Sequence, residues 1–284
     1  GMPELEAIAS ATIRPARYLG LHDLGGIAPG YQADFMIAEK STEYPPLEVY
    51  VSGRKVAKNG KLSEKHLPDL PPTPMGDQIP GPFSKEDFRV VPETISREQV
   101  IANAVVIKND ANTLTGLERI PVEVNTGFPE FSEGDGLALV AVFARSGSSS
   151  NVGILKNSGL RSGAFASSVA HDSHNLLVVG RDVGSMVTAA NAAHQMEGGM
   201  VVSDGADVLA RLPLPILGLL SDKPIEFIAE ESQNVTNSLR SLGMVHKRPL
   251  IILTMIALSV SPYFKFTDKG VVDTEERKLL PSWE

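Results

Sequence analysis

Residues 176–211 read LLVVGRDVGSMVTAANAAHQMEGGMVVSDGADVLAR, and this stretch decides the fold class. The apolar run at its start predicts a strand. Met and Ala then recur at helical spacing up to a Gly-Gly pair, which predicts a helix over 183–197. The strands predicted at Met200–Val202 and Val208–Arg211 flank a Ser-Asp-Gly turn that is typical of a hairpin. A strand, a helix and a hairpin in this order predict a layered α+β domain.

The pattern on either side predicts further helices and strands. Helices are predicted over 4–11, 224–241 and 249–260, and strands over 33–38, 47–51, 56–58, 104–107 and 137–143. The three strands before residue 60 are too few to bury both faces of a sheet. We therefore expect the first third of the chain to be a partial β-sandwich segment.

The composition excludes several classes of protein. With 26 basic and 34 acidic residues the net charge is −8, which argues against a dedicated nucleic-acid binder. The absence of cysteine excludes disulfides, thiol nucleophiles and Cys-ligated zinc. The longest apolar run, Pro249–Val260, has about 12 residues, whereas a membrane span needs roughly 20. No membrane partner is expected, and the lack of a signal peptide predicts a cytoplasmic protein.

Prolines divide the chain. Seven of them lie between Pro68 and Pro92, and a residue type that lacks an amide donor excludes a long helix or a central strand there. We predict a linker over 63–92, either ordered across the surface or a mobile tether. The predicted domains are then residues 1–62 and 93–284.

The densest polar cluster is Ser167–Asn175, which reads SSVAHDSHN. His171 and His174 are three residues apart with Asp172 between them, so in a turn the two imidazoles can converge on one point. Such a group can shuttle a proton, orient a nitrogenous ligand or hold a divalent cation. The alternative is that the serines and the carboxylate cap backbone amides while the histidines fill space.

Other polar features carry less information. The hydroxyl-rich run 145–153 is either an anion-binding loop or an ordinary flexible one. His194 lies between apolar residues of a predicted helix, which indicates a packing role. The motifs HExxH, GxGxxG, GxxxxGK[ST] and GxSxG are absent from the sequence.

A family resemblance covers nearly the whole chain. Residues 159–180, GLRSGAFASSVAHDSHNLLVVG, closely resemble the signature of the adenine deaminase C-terminal domain. The stretches 212–222, LPLPILGLLSD, and 264–273, FKFTDKGVVD, resemble further parts of that domain. Residues 10–38, SATIRPARYLGLHDLGGIAPGYQADFMIA, resemble the closing segment of amidohydrolase-superfamily enzymes, and 48–61, EVYVSGRKVAKNGK, resemble the next sandwich hairpin.

The resemblance implies hydrolysis of adenine to hypoxanthine and ammonia. In the family, divalent metal ions (Mn or Fe) inside a (β/α)₈ barrel activate the attacking water, and a carboxylate passes its proton to the leaving amine. Such a barrel needs about 250 residues, and this sequence carries no H-x-H metal motif. We therefore expect a C-terminal portion that is inactive alone and holds no metal, although a metal at His171 and His174 is an alternative.

The resemblance also implies site residues and partners. A supporting or site-closing role is expected for His171, Asp172 and His174, and contact with adenine or a related purine for Ser167, Ser168, Asn175 and Arg145. The partner is either the missing barrel half or further copies of this chain in a homo-oligomer. The chain departs from the family at Arg14, where Asn is usual, and at Ser146, where His is usual. A non-catalytic remnant that binds a ligand or a partner is the alternative function.

Overall fold

The structure is a computed structural model that describes residues 1–41, 44–63, 79–90, 97–108 and 114–284. It divides into two compact units, residues 1–72 and 73–284. Both units combine helices with sheets, so the predicted α+β class is confirmed. Within the described part of the chain, no helix is long and apolar enough to cross a bilayer.

The first unit has two short helices and a small sheet. Its elements are α1 Glu4–Ala11, α2 Ile13–Tyr18, β1 Phe35–Ile37, β2 Glu48–Val51, β3 Arg54–Lys58 and β4 Lys61–Leu62. The four strands pair antiparallel in the order β1-β2-β3-β4. Among the described residues of this unit, Ala16 is the one buried apolar side chain. So small a sheet does not cover a core, as the few predicted strands indicated.

The helix predicted over 4–11 is confirmed as α1. After a break at Thr12 the chain continues in α2, a second short helix that the sequence did not predict. Pro15 stands in the first turn of α2, where its missing amide removes no helical hydrogen bond.

The second unit holds most of the regular structure. It begins with a 3₁₀ helix at Lys85–Phe88. Its helices are α3 Val183–Gln195, α4 Ile225–Ser241 and α5 Pro249–Met255. Its strands are β5 Arg97–Ile107, β6 Thr115–Asn125, β7 Phe128–Pro129, β8 Leu137–Phe143, β9 Ser150–Lys156, β10 Ala164–Ser167, β11 Leu176–Gly180, β12 Gly199–Asp204, β13 Asp207–Pro213, β14 Phe264–Thr267, β15 Gly270–Asp273 and β16 Lys278–Leu280.

Nine of these strands form one sheet in the order β13-β12-β10-β11-β8-β9-β5-β6-β7. All neighbours pair antiparallel except β5 and β9, which run parallel. Alternate residues of β8 enter opposite cores: Val140 and Val142 face one, whereas Leu139 and Phe143 face the other. The central strands therefore read as unbroken apolar runs, because both faces of the sheet are buried.

Helices cover the two faces of this sheet. Met186 and Ala190 of α3 pack in one core. Val235 and Leu239 of α4 pack in the other, together with residues of α5. The antiparallel sheet β14-β15-β16 joins this second core through the buried Phe266. The result is a layered α+β domain.

The described part of the predicted linker, residues 79–90, packs into the second unit. Ile79, Phe83 and Phe88 are buried in the core that contains α3. The Asn191 amide accepts a hydrogen bond from Phe83 N at 2.7 Å and donates one to Phe83 O at 2.9 Å. Residues 64–78 and 91–96 lie outside the described residues. The predicted domain boundaries at 62 and 93 therefore stay predictions.

Candidate functional site

The candidate site is the loop 168–175, which we call the site loop. It connects β10 to β11, two neighbouring strands whose residues are all buried. Because both flanking strands are buried on both faces of the sheet, the loop begins and ends on rigid backbone. Loops held by a rigid scaffold are a common place for functional groups. Both ends of the loop are thereby fixed.

The last residue of β10, Ser167, and the first residue of the site loop, Ser168, both bond to the backbone through their hydroxyls. Ser167 Oγ accepts a hydrogen bond from Val169 N at 3.0 Å. Ser168 Oγ accepts one from Gly199 N at 2.7 Å and donates one to Gly218 O at 2.6 Å. Both serines are completely buried. The Ser168 hydroxyl therefore joins three chain segments, and direct contact of either serine with a substrate stays a prediction.

Asn175 and Arg145 hold the other end of the loop. The buried Asn175 accepts a hydrogen bond from Arg145 N through Oδ1 at 3.1 Å and donates one to Asp268 through Nδ2 at 3.1 Å. The Arg145 guanidinium donates to His174 O at 3.4 Å and also to Leu217 O. These contacts position the loop backbone, and substrate contact by either side chain also stays a prediction.

His171 and His174 come together as their spacing predicted. Their ring centroids are 5.5 Å apart in an edge-to-face arrangement. Both side chains are partly buried, whereas Asp172 is exposed. His174 Nδ1 is buried and has no hydrogen-bond partner among the described residues. This ring therefore has bonding capacity that the described part of the protein does not use.

The electrostatics keep His174 neutral. Burial lowers the pKa of His174 below its ordinary value of 6.5, and the nearby His171 and Arg145 lower it further, while Asp172 acts in the opposite direction. At neutral pH the ring therefore offers one nitrogen that donates and one that accepts a hydrogen bond. Such a ring can bind a polar, nitrogen-rich ligand.

The donor set of the loop does not fit a resident metal ion. In the ranges that the structure describes, no three His, Cys, Asp or Glu side chains form a group that could hold a cation. The two imidazoles supply two donors, and the exposed Asp172 does not complete a third. We assign no chemical step of this chain to a metal.

The structure brings the predicted residues to one place, and it adds one that the sequence analysis missed. Asp268, in the turn between β14 and β15, bonds to the side chain of Asn175. Its stretch FKFTDKGVVD carried the family resemblance, but nothing in the spacing placed it beside residues 168–175. Such a contact, 93 residues apart in sequence, follows from the fold alone.

Two weaker predictions also receive a place in the fold. In the run 145–153, residues 145–149 form the hairpin turn and the rest lies in β9, with Ala144 N bonded to Ser149 O at 2.8 Å. His194 lies in α3, and its Nδ1 bonds Ile79 O at 2.7 Å. Because a carbonyl accepts, that nitrogen carries the proton, and the side chain has a structural role.

Comparisons with known protein families cover both units of the chain. Residues 112–278 match the family described as adenine deaminase C-terminal domain, and residues 1–62 match the amidohydrolase family. The chain belongs to the adenine deaminase C-terminal domain family.

Its curated relatives are adenine deaminases. The one from Methanothrix thermoacetophila is 37% identical over 99% of this chain and 48% of its own length. The one from Clostridium perfringens strain 13 is 35% identical over 99% of this chain and 50% of its own length. The one from Moorella thermoacetica is 35% identical over 99% and 48%. The chain spans about half the length of the curated relatives it matches, and corresponds to a C-terminal portion of adenine deaminase.

Proposed function

We propose that this chain supplies the C-terminal part of an enzyme that hydrolyses adenine to hypoxanthine and ammonia, and that the site loop borders the purine site. The observation that carries the proposal is the pair His171 and His174, held at a rigid sheet edge within the region that matches the family. The activity is that of the relatives named above and is here a proposal for the whole enzyme.

The reaction defines what this loop can contribute. Water adds to the ring carbon that bears the amino group, a C–O bond forms, and the C–N bond breaks to release ammonia. The purine presents ring nitrogens and an amine, which need matched donors and acceptors. Because Nδ1 of the neutral His174 is buried, the ring can supply one hydrogen bond to a purine through Nε2, and the apolar strands behind the loop exclude water. We therefore give His171 and His174 a binding and site-closing role, with Asp172 at the rim.

A divalent metal, Mn or Fe, is expected to activate the water in the whole enzyme. Its chemistry would be the supply of hydroxide at neutral pH. Since the donor set described above does not fit such an ion, the proposal places the metal site outside the described residues. Cytoplasmic location and assembly with a barrel half or with further copies belong to the same proposal.

The second candidate function is a non-catalytic module that binds a ligand or partner through the same loop. The observation that favours it is Ser146, which stands where the resemblance places a histidine. Its hydroxyl bonds Ser148 Oγ at 2.6 Å within the exposed hairpin turn. If that missing histidine takes part in turnover, the loop would bind a purine without supporting catalysis.

A chimera tests the first proposal. The matched half of the Methanothrix thermoacetophila relative is replaced by this chain, and adenine conversion is followed by the release of ammonia. We expect activity, and we expect His174→Gln to lower kcat/KM at least about tenfold, because the ring would lose a hydrogen bond to the purine. The matched control is His22→Gln, an exposed histidine of the first unit, for which no change is expected.

The outcomes separate the two functions. An inactive chimera together with calorimetric binding of adenine to the 284-residue chain would favour the non-catalytic module. Rapid adenine turnover by the 284-residue chain alone would contradict the supporting role, because the site loop would then have to carry the whole reaction. Equal activity of the His174→Gln and His22→Gln chimeras would remove His174 from the purine site.

A further inference from the structure

We propose that Asp268 is a positioning residue for the site loop, an inference that rests on the proposed function. The residue lies in the turn between β14 and β15, which belong to the small sheet rather than to the sheet that carries the loop. Its carboxylate connects the site loop to a separate, independently fixed part of the second unit.

Both oxygens of this carboxylate are used. Oδ1 accepts a hydrogen bond from Asn175 Nδ2 at 3.1 Å, and Oδ2 accepts one from Ser149 Oγ. Hydrogen bonds to an ionised acceptor are stronger than neutral ones. The single carboxylate therefore fixes the site loop and the β8–β9 turn with respect to each other.

The turn that carries Asp268 is rigid. Phe266, two residues earlier, is buried in the core. Thr267 Oγ1 donates a hydrogen bond to Gly270 O at 2.9 Å and closes the turn. Gly270 has a φ of 142°, and a Cβ there would lie 2.5 Å from Leu280 O. The carboxylate is thus held on a backbone that has little room to move.

Asp268 influences the position of the His174 ring through Asn175. The amide of Asn175 is fixed at both ends, by Asp268 and by Arg145 N. The preceding residue, His174, has a φ of 52°, a left-handed conformation that a residue with a Cβ adopts only at an energetic cost. With Asn175 released, His174 can relax, and its ring would leave the position beside His171.

An exchange of the two side chains tests the contact itself. Asp268→Asn leaves one neutral amide oxygen where two carboxylate oxygens accepted, so either Asn175 Nδ2 or Ser149 Oγ loses its acceptor. Asn175→Asp sets two carboxylates against each other. The double variant restores every bond: the new aspartate at 175 accepts from Arg145 N and from the new amide at 268, whose oxygen accepts from Ser149. Asp273→Asn is the control, because Asp273 lies in the same hairpin and accepts from two backbone amides, of Glu275 and Glu276.

In the chimera we expect each single variant to lower kcat/KM at least about tenfold, as loss of alignment by a fraction of an ångström does. The double variant should return to within about threefold of the parent. The thermal midpoints of Asp268→Asn and Asp273→Asn should be similar, so that a purely structural loss would appear in both. Equal activity of these two variants, or a double variant no more active than the single ones, would overturn the proposal.

A second measurement keeps the inference separate from the proposed function. Hydrogen exchange of the 284-residue chain reports the site loop without any assay of activity. We expect Asp268→Asn to speed exchange of the Arg145 amide, which bonds to Asn175, at least about tenfold, and Asp273→Asn to leave it unchanged. Unchanged exchange in Asp268→Asn would overturn the positioning role. An inactive parent chimera with faster exchange would contradict the proposed function alone.

Discussion

Replacing Ser168 by alanine removes one hydroxyl that joins three chain segments. Ser168 is completely buried, and its Oγ accepts from Gly199 N at 2.7 Å and donates to Gly218 O at 2.6 Å. Gly218 is itself tightly enclosed, since a Cβ there would lie 3.2 Å from Ser168 Oγ and 3.0 Å from the Arg145 guanidinium. The alanine variant would therefore leave a buried donor and a buried acceptor without partners.

The expected loss of stability follows from the two buried groups that lose their partner, the amide of Gly199 and the carbonyl of Gly218. A buried polar group that loses its partner destabilises the fold by about 1–3 kcal/mol. We expect about 2–4 kcal/mol in total, because the carbonyl has a second lone pair and the cavity left by one oxygen is small. For a unit of this size that lowers the thermal midpoint by roughly 4–16 °C.

Urea unfolding followed by circular dichroism measures the change. The control is Ser241→Ala, an exposed serine whose hydroxyl bonds Ser238 O within its own helix end, for which about 0.5 kcal/mol or less is expected. A loss below about 1 kcal/mol for Ser168→Ala would refute the reasoning, because the hydroxyl would then not be what holds the three segments.

Three further perturbations address single groups. Because burial lowers the pKa of His174 below 6.5, the folded state binds fewer protons than the unfolded state just below that pH. We expect its contribution to stability to be complete above pH 6.5 and to fall as the pH drops through the lowered pKa, with His174→Asn lacking this dependence in parallel urea titrations. Burial lowers the pKa of Lys265 to about 8 from 10.5, so between these pH values the unfolded state binds more protons than the folded state. As the pH rises from about 8 to 10.5, the free energy of unfolding of the wild type should therefore increase relative to that of Lys265→Met, and no relative increase would contradict this burial effect. Asn191→Ala removes both hydrogen bonds to Phe83 and should destabilise the second unit by about 1–3 kcal/mol, with faster exchange of the Phe83 amide; unchanged exchange would show that the buried side chains alone hold this segment.

The sequence predicted the central elements of the second unit because their pattern is local. Leu137–Phe143 agrees with β8 at both ends, and the helix over 183–197 agrees with α3 to within two residues. Both lie against the core, so burial alone explains their composition. The hairpin at Ser203-Asp204-Gly205 is also found, with Asp204 paired to Asp207.

The strands that the sequence did not predict depend on partners distant in sequence. β6 contains Pro121, which argues against a central strand. In the structure β7 pairs only with Val124 and Asn125, so β6 has no outer partner at Pro121 in the described part of the sheet. β10 reads AFAS within a stretch of small residues, and it is a strand because β11 and β12 pair with it on both sides.

For the candidate site, the sequence left open whether the polar side chains of 167–175 meet a ligand or bond to the backbone. The structure places Ser167 and Ser168 wholly inside and bonds them to the backbone. Burial depends on the whole fold, and spacing along the chain carries no information about it.

The position of the loop explains why several of its polar side chains bond to the backbone. A loop that leaves two completely buried strands carries amides and carbonyls that also become buried, and each needs a partner. Ser167, Ser168 and Asn175 bond to such backbone groups. From outside the loop, the Arg145 guanidinium donates to His174 O, and Asp268 holds the Asn175 amide in place. In the described structure, the polar side chains of the loop that make no hydrogen bond to the backbone are those of His171, Asp172, Ser173 and His174, and we propose the two histidines and Asp172 for contact with a ligand. The density of polar residues in this loop therefore reflects the loop's own hydrogen-bond requirement first, and only then the chemistry that we propose for its two imidazoles.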